Sequence, residues 1–158
     1  MIQDSGNRQT FNTGAVRDIQ EGKGRPILMP LEVASAMMGG HLTGGDCILF
    51  DLHAFLKFKK SRHLYAALHN FASLAYEGKT ETMLLEVSKH FEEGARKYGP
   101  DNWRKGLPLS CYLDSAIRHY LKYKRGDKDE PHDRAFVWNL MCCIWELDFH
   151  RKNKEDIV

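Results

Sequence analysis

The chain has few of the features that mark secreted, membrane-spanning or nucleic-acid-binding proteins. Its four cysteines include no Cys-x-x-Cys pair, which favours a reducing compartment over a disulfide framework. No apolar run approaches the roughly 18 residues of a membrane span, and the first residues lack the apolar core of a secretion signal. The net charge of +2 is too mild for a concentrated basic surface. We therefore expect a cytoplasmic protein that binds neither a membrane nor a nucleic acid polymer.

Strand-like alternation is also scarce, and helical periodicity takes its place. Apolar content of 42% and charged content of 28% in 158 residues are typical of one globular domain with a real core. Apolar residues recur with helical spacing in five segments, at 47–60, 62–78, 80–99, 109–126 and 130–151. The predicted class is therefore all-α, a four- to five-helix bundle.

Glycine-rich stretches lie outside these helices. Residues 1–30 hold four glycines and few apolar side chains, which predicts an irregular N-terminal segment and leaves a mobile tail as an equal alternative. Residues 37–46 contain two Gly-Gly pairs, which predicts a loop.

The helix predicted over 80–99 has a polar stripe beside its apolar face. The face expected in the core consists of Leu84, Val87, Phe91, Gly94 and Tyr98. The polar stripe consists of Glu86, His90, Glu93 and Lys97. Carboxylates that point into a groove between helices are ligands of the kind that Mg²⁺ or Mn²⁺ takes. A solvated flank with an ordinary Glu93–Lys97 helix pair is the alternative.

The next helix, over 109–126, repeats this arrangement. Asp114 and Arg118 are four residues apart at the margin of its apolar side, and His119 falls further round. Asp114 is a candidate metal ligand and Arg118 a candidate phosphate contact. The alternative is a surface ion pair worth about a few tenths of a kcal/mol.

The helix over 130–151 begins among acids. The acidic residues at its start are Asp127, Asp129, Glu130 and Asp133, and the helix dipole is a sufficient structural reason for them. His132 and Asn139 share one face within an apolar run, and a buried Asn needs hydrogen-bond partners. The doublet His132-Asp133 also resembles the metal-dependent HD phosphohydrolases, which leaves that function open.

A cationic and aromatic loop follows the acidic helix over 80–99. Its side chains are Lys97, Asn102, Trp103, Arg104 and Lys105. The cations can meet phosphate charge, while Trp103 can stack on a base or simply pack. Acids from several helices beside such a loop suit phosphate-ester or anhydride chemistry at divalent ions. A non-catalytic helical interaction protein, whose acids are solvated, is the second alternative.

Four stretches together resemble the phage dATP/dGTP diphosphohydrolase family, which is related to the MazG-like all-α nucleoside triphosphate pyrophosphatases and includes MazZ members. They are FNTGAVRDIQEGKGRPILMP, GARKYGPDNWRKGLPLSCYLDSAIRHYLKY, GDKDE and WNLMC, and the resemblance covers residues 11–30 and about 84–145. It implies a MazG-like bundle that forms a homodimer or homotetramer. It also implies a single domain over 1–158, with a helical insertion at 45–78 and catalytic helices at 79–150.

The activity implied by this resemblance is hydrolysis of a purine deoxynucleoside triphosphate, dGTP or dATP, to the monophosphate and pyrophosphate. The setting would be remodelling of a phage nucleotide pool in the host cytoplasm, with Mg²⁺ or Mn²⁺ as cofactor. MazG-like enzymes hold metal on an ExxE motif in one helix and an ExxD motif in the next. Glu93 and Asp114 match the final acids of these motifs, whereas His90 and Cys111 stand where the pattern has carboxylates.

The resemblance therefore implies a site with three groups of residues. The metal ligands would be Glu86, Glu93, Asp114 and Glu130, and the catalytic acids Glu86, Glu93 and Asp129. The substrate contacts would be Lys23, Arg25, Lys97, Asn102, Trp103, Lys105, Arg118, His119 and Asn139. The N-terminal segment would fold over the nucleotide, with Lys23 and Arg25 near phosphate.

Overall fold

A computed structural model describes residues 5–39 and 46–150, which form six α-helices and one antiparallel hairpin. The strands are β1 (Arg8–Thr10) and β2 (Val16–Asp18). The helices are α1 (Leu31–Gly39), α2 (Cys47–Phe58), α3 (Arg62–Tyr76), α4 (Thr80–Tyr98), α5 (Leu109–Arg125) and α6 (His132–Trp145). Short 3₁₀ turns occur at Pro26–Leu28 and Asn102–Lys105, and a π-helical turn at Glu146–His150 follows α6. The predicted all-α class is confirmed.

Four of the predicted helices begin and end within two residues of α2, α3, α4 and α5. The fifth is shorter than predicted, because the π-helical turn replaces its last part. The described part of the predicted insertion at 45–78 forms α2 and α3, and its status as an insertion stays a prediction. The N-cap residue of α4 is Lys79, which makes no side-chain cap bond.

The first residues of the predicted loop over 37–46 belong instead to α1, so that prediction is wrong for Met37–Gly39. Residues 40–45 lie outside the described residues. The helix forms because Pro30 precedes it and its carbonyl accepts from the Val33 and Ala34 amides, while Leu31 is buried. Ala and Met are also good helix formers, which offsets the effect of the nearby glycines.

The N-terminal segment packs against the helices, and its hairpin was not predicted. Arg8 pairs with Asp18 and Thr10 with Val16, and Gly14 takes the positive φ that the turn needs. Both backbone groups of Val16 bond the Asn102 side chain, at 3.0 and 2.9 Å. Strands of three residues are too short for alternation to be visible in the sequence, and their contacts to a distant loop stabilise them.

The core lies between α3, α5 and α6. Phe71 of α3 is its centre, with ring centroids 4.5 Å from Phe136, 5.2 Å from Tyr123 and 6.2 Å from Tyr120. The antiparallel pair α5 and α6 therefore forms a rigid floor on which the other elements pack. Side chains that project from these two helices can hold fixed positions.

The buried face of α4 differs from the predicted one. Met83, Val87 and His90 are the buried residues of this helix, whereas Leu84 is 46% exposed. The expectations for Leu84 in the core and His90 in a polar stripe are therefore wrong. The three buried residues recur at helical spacing, and the row turns toward α6 because the Trp138 ring packs on His90 at 5.7 Å.

No helix within residues 5–39 and 46–150 has both the length and the apolar character required to cross a lipid bilayer.

Candidate functional site

A cavity of about 590 Å³ lies between the N-terminal hairpin and helices α4, α5 and α6. Its walls include Val16, Arg17, Asp18, His90, Phe91, Gly94, Ala95, Tyr98, Asn102, Trp103, Ser115, Arg118, His119, Lys122, Glu130, Trp138 and Asn139. Gly94 and Ala95 leave the middle of α4 without bulky side chains, and the space around Gly94 is open. A volume of this size suits a small-molecule ligand.

Arg17 of β2 reaches the centre of the helical floor. Its Nη2 donates to Asn139 Oδ1 over 2.8 Å and its Nη1 to the Cys111 carbonyl over 3.4 Å. The guanidinium lies over the rings of Tyr112 and Trp138, at 5.9 and 6.0 Å. Burial lowers the pKa of Arg17, but a guanidinium stays protonated in proteins. The cavity therefore has a fixed positive charge in its floor.

Arg118 joins the segment after the hairpin to α5. Its guanidinium donates to the Gly24 carbonyl at 2.8 Å, to Gln20 Oε1 at 3.0 Å and to Ser115 Oγ at 2.8 Å. Burial lowers the pKa of Arg118. Lys23 lines the same cavity and pairs with Asp18 at 3.1 Å. Lys23 and Arg118, two of the predicted phosphate contacts, thus lie at the cavity, and their function stays a prediction.

Asp114 and Arg25 contact each other, and neither lines the cavity in the described structure. Arg25 Nε lies 3.0 Å from Asp114 Oδ2, and the Ile27 amide donates to Asp114 Oδ1 over 3.1 Å. Asp114 is 3% exposed, so the alternative of a surface ion pair with Arg118 is wrong. Its carboxylate holds the segment before α1 on α5.

Imidazoles and acids meet where α5 passes the start of α6. His119 Nδ1 lies 3.0 Å from His132 Nδ1, and Glu130 Oε1 lies 3.6 and 3.7 Å from these two nitrogens. Asp129 Oδ1 accepts from His132 Nε2 at 2.7 Å, and Lys122 lies 3.2 Å from the same carboxylate. His132, and then Lys122, hold the pKa of Asp129 near 2. Burial lowers the pKa of His119 well below its ordinary value.

This cluster could hold a metal ion. The described residues offer two sets of three donors close enough for one ion, namely His119, Glu130 and His132, and Asp127, Asp129 and His132. His119 and Glu130 line the cavity, so the first set lies beside the space that a ligand would fill. Glu130 was predicted as a metal ligand and Asp129 as a catalytic acid. His119 was predicted as a substrate contact, and His132 only as part of an HD doublet.

The predicted acids of α4 have other partners in the structure. Glu86 lies 2.5 Å from Lys89, and Glu93 lies 3.5 Å from Arg134 of α6. Neither of the two acids lines the cavity as described. The Lys97 ammonium lies over the Tyr98 ring, at 5.1 Å. The roles of Glu86, Glu93 and Lys97 in metal, water or phosphate binding stay predictions.

The cationic loop after α4 mainly holds the hairpin. Asn102 bonds Val16 as described above, and Lys105 donates to the Gly14 carbonyl at 3.4 Å. The Trp103 ring packs between Phe91 and Trp145, at 5.5 and 5.0 Å. Asn102 and Trp103 also line the cavity, which keeps the predicted substrate contacts open for these two.

Sequence reasoning missed Arg17 and Lys122, and it singled out His132 only in the alternative of an HD phosphohydrolase. These residues have no spacing motif for this site, because their partners lie on other elements. The position of Arg17 in the stretch FNTGAVRDIQEGKGRPILMP, which resembles the family, was the available signal for this residue. Asp133 turns to the other side and accepts from the Tyr76 hydroxyl at 2.9 Å, so the His132-Asp133 doublet does not form one site.

None of the curated proteins and none of the solved structures compared with the chain matches it. A sequence model of the family described as "dATP/dGTP diphosphohydrolase, N-terminal" matches residues 72–157. This range begins within α3 and includes α4, α5 and α6, whereas the hairpin lies outside it. The resemblance inferred from sequence motifs is thereby confirmed. Since the match covers more than half of its residues, the chain belongs to the dATP/dGTP diphosphohydrolase family.

Proposed function

We propose that the chain hydrolyses a purine deoxynucleoside triphosphate, dGTP or dATP, to the monophosphate and pyrophosphate, with a divalent metal ion as cofactor. The observation that carries the proposal is one cavity that joins fixed cations, aromatic walls and a metal-type cluster. Most of the residues that line this cavity lie within the family match, on α4, α5, α6 and the loops between them.

The cationic side of the cavity suits the triphosphate. Lys23, Arg118 and Lys122 line it, and Arg17 supplies charge from below. Asp18, Asp101 and Glu130 also line the cavity, but the clustered cations on this side attract an oppositely charged ligand and raise its local concentration. In the structure Lys23 pairs with Asp18 and Lys122 with Asp129, so we propose that phosphate oxygens replace these carboxylates when the substrate binds.

The aromatic side of the cavity suits the base. Phe91, Tyr98, Trp103 and Trp138 line it, and flat rings of this kind stack on a purine. Burial lowers the pKa of His90 to about 4, so this residue is neutral at pH 7 and adds no charge beside the rings. The base and the phosphates would therefore occupy opposite sides of one cavity.

The proposed reaction is a displacement at the α-phosphorus. A water oxygen forms a bond to this atom, the bond to the α,β-bridging oxygen breaks, and pyrophosphate leaves with that oxygen. The water gives up its proton to a general base, and the carboxylates of Glu86, Glu93 and Asp129 are the proposed candidates. A bound divalent ion, Mg²⁺ or Mn²⁺ by the family resemblance, supplies neutralisation of phosphate charge and a lowered pKa of water.

Further parts of the proposal come from the resemblance alone. We propose a homodimer or homotetramer that acts in phage nucleotide-pool remodelling. Leu84, Leu85 and Phe149 are exposed apolar side chains that an interface could cover. Light scattering after gel filtration would measure the assembly, and a monomer at micromolar concentration would contradict it.

Product analysis tests the reaction. The protein is incubated with each of dGTP, dATP, dCTP and dTTP, with Mg²⁺, Mn²⁺ or EDTA, and products are separated by anion exchange. We expect metal-dependent dGMP or dAMP together with pyrophosphate. Deoxynucleoside with triphosphate would favour an HD-type hydrolase, and no turnover of any nucleotide would favour a binding protein.

A pair of adjacent acids on α4 tests the proposed catalytic carboxylate. Glu93→Gln should lower kcat roughly 100-fold, the order expected when a charge that acts at a metal or on water is lost. Glu92→Gln is the matched control, because Glu92 is exposed and pairs with Arg96 of the next turn. Equal activity of the two variants would remove Glu93 from the mechanism.

A further inference from the structure

We propose that His119, Glu130 and His132 form a mixed nitrogen and oxygen site that selects a transition-metal ion, such as Zn²⁺ or Co²⁺, over Mg²⁺. The use of this ion in hydrolysis rests on the proposed function, where it would take the place that the family resemblance gives to Mg²⁺ or Mn²⁺. The binding of the ion rests on the geometry alone.

The distances within the cluster are those of ligands around one ion. The two Nδ1 atoms are 3.0 Å apart. Two ligands that each lie about 2.1 Å from an ion at a right angle are about 3.0 Å apart, and about 3.4 Å apart at a tetrahedral angle. Glu130 Oε1, at 3.6 and 3.7 Å from the nitrogens, needs a shift of a few tenths of an ångström.

A carboxylate sets the His132 ring in the orientation of a metal ligand. Asp129 Oδ1 lies 2.7 Å from His132 Nε2, and a carboxylate only accepts, so Nε2 carries the ring proton. The lone pair of the neutral ring is then on Nδ1, which faces His119. Histidines that bind metals usually donate their other N–H to a carboxylate in this way. Lys122 in turn holds Asp129, at 3.2 Å.

The close approach of the two imidazoles is then explained by a hydrogen bond between them. When both rings are neutral, His119 Nδ1 carries the proton that joins them and His132 Nδ1 accepts it over 3.0 Å. Binding of a metal would displace this proton to His119 Nε2, and a rotation of the rings would turn both Nδ1 lone pairs toward the ion. The protein thus holds the two nitrogen donors close together.

The donor set differs from the all-carboxylate set that the family resemblance implies. Glu93 contacts Arg134, and Asp114 contacts Arg25 and the Ile27 amide, so neither acid belongs to the cluster of His119, Glu130 and His132. Mg²⁺ prefers oxygen ligands and retains its waters, whereas imidazole favours later transition metals. Two imidazoles among three protein ligands therefore disfavour Mg²⁺.

The site is also open on the side where a substrate would lie. His119 and Glu130 line the cavity together with Arg118, so further coordination positions can face a phosphate oxygen. Three protein ligands with open positions are typical of catalytic metal sites, whereas structural sites are closed by four. This position joins the proposed metal to the proposed triphosphate pocket.

Metal titration of the full chain tests this site without any nucleotide. Protein stripped with a chelator is titrated with Co²⁺, followed by the visible absorption of the bound ion, and with Zn²⁺ and Mg²⁺ by calorimetry. We expect one equivalent of Co²⁺ or Zn²⁺, bound at least about 100-fold more tightly than Mg²⁺. Equal affinity for Mg²⁺ would overturn the proposal.

Ligand variants locate the ion. His119→Gln and Glu130→Gln should each weaken Co²⁺ binding by about 100-fold or more. His69→Gln is the matched control, since His69 is an exposed residue of α3 outside the cluster. His132 is buried, so thermal melts must first show that His132→Gln is folded. Unchanged Co²⁺ binding in folded His119→Gln and Glu130→Gln would overturn the assignment.

Failure of the site and failure of the proposed function give different results. Tight Co²⁺ binding without turnover of any nucleotide would keep the metal site and remove the hydrolase. Turnover that persists unchanged in His119→Gln and Glu130→Gln would keep the hydrolase and remove this site from it.

Discussion

Arg17 of β2 donates to the side-chain oxygen of Asn139 in α6 over 2.8 Å, although 122 residues separate them in the chain. Asn139 in turn donates to the Ala135 carbonyl of its own helix, at 2.8 Å. This pair places the N-terminal hairpin in the wall of the cavity and fixes a charge in its floor. The hairpin thus forms part of the candidate site. Four predictions on the fold follow from this contact and similar ones.

Asn139→Ala should destabilise the protein by about 1–3 kcal/mol, because the buried Arg17 guanidinium loses its side-chain acceptor. Urea unfolding followed by tryptophan fluorescence measures this change. Asn139→Asp keeps an acceptor for Arg17 and is the control, with a smaller loss expected. An unfolding midpoint of Asn139→Ala equal to that of the wild type would show that the contact adds nothing to stability.

His90 should make stability depend on pH between about 6.5 and 4. Burial lowers its pKa to about 4, with Arg134 and Arg17 acting in the same direction and Glu93 opposing them. The folded state therefore binds fewer protons than the unfolded one. The contribution of His90 to the free energy of unfolding is complete above pH 6.5. It is lost as pH falls, by about 3 kcal/mol at pH 4 and below.

The His90→Gln variant isolates this effect. It lacks the titrating ring, so its free energy of unfolding should fall less than that of the wild type between pH 7 and pH 4. Groups remote from His90 titrate equally in both proteins and cancel in the comparison, whereas the pKa of His119, which His90 helps to lower, rises slightly in the variant. Parallel pH profiles for the two proteins would contradict the assignment.

Gly106→Ala should lower the melting temperature more than a glycine substitution at an open site. A Cβ at Gly106 would lie 2.8 Å from Glu146 Oε2, and Glu146 is buried and held by His150 at 3.2 Å. Gly99→Ala is the control, since Gly99 has a similar positive φ but open space around it. We expect a difference of about 2 kcal/mol, or roughly 4–8 °C. Equal melting temperatures would show that Glu146 moves freely.

Asp114→Ala should release the segment before α1. The Ile27 amide loses its charged acceptor and Arg25 its partner, so hydrogen exchange at Ile27 should be faster by roughly 10-fold or more. Glu77→Ala, which removes an exposed acid paired with Lys79, should leave this exchange unchanged. Full protection of Ile27 in Asp114→Ala would mean that other contacts hold the segment.

Local features of the sequence determined the class, the bounds of most helices and the family. Apolar residues at helical spacing and glycines at helix ends act over a few residues, so α2 to α5 were predictable to within two residues. The motif order around Asn102, Trp103 and Asp114 is likewise local, and it was sufficient to indicate the diphosphohydrolase family that the match over 72–157 confirms.

The tertiary structure alone decided which side chains meet. His119 and His132 belong to different helices, and their 3.0 Å contact depends on the rotation of α5 against α6. Periodicity shows that a residue lies on a face but not which partner that face meets, which is why the contact of Asp114 with Arg25 was not predicted. The pairing of Arg17 with Asn139 depends on packing across the whole chain, which no local pattern encodes.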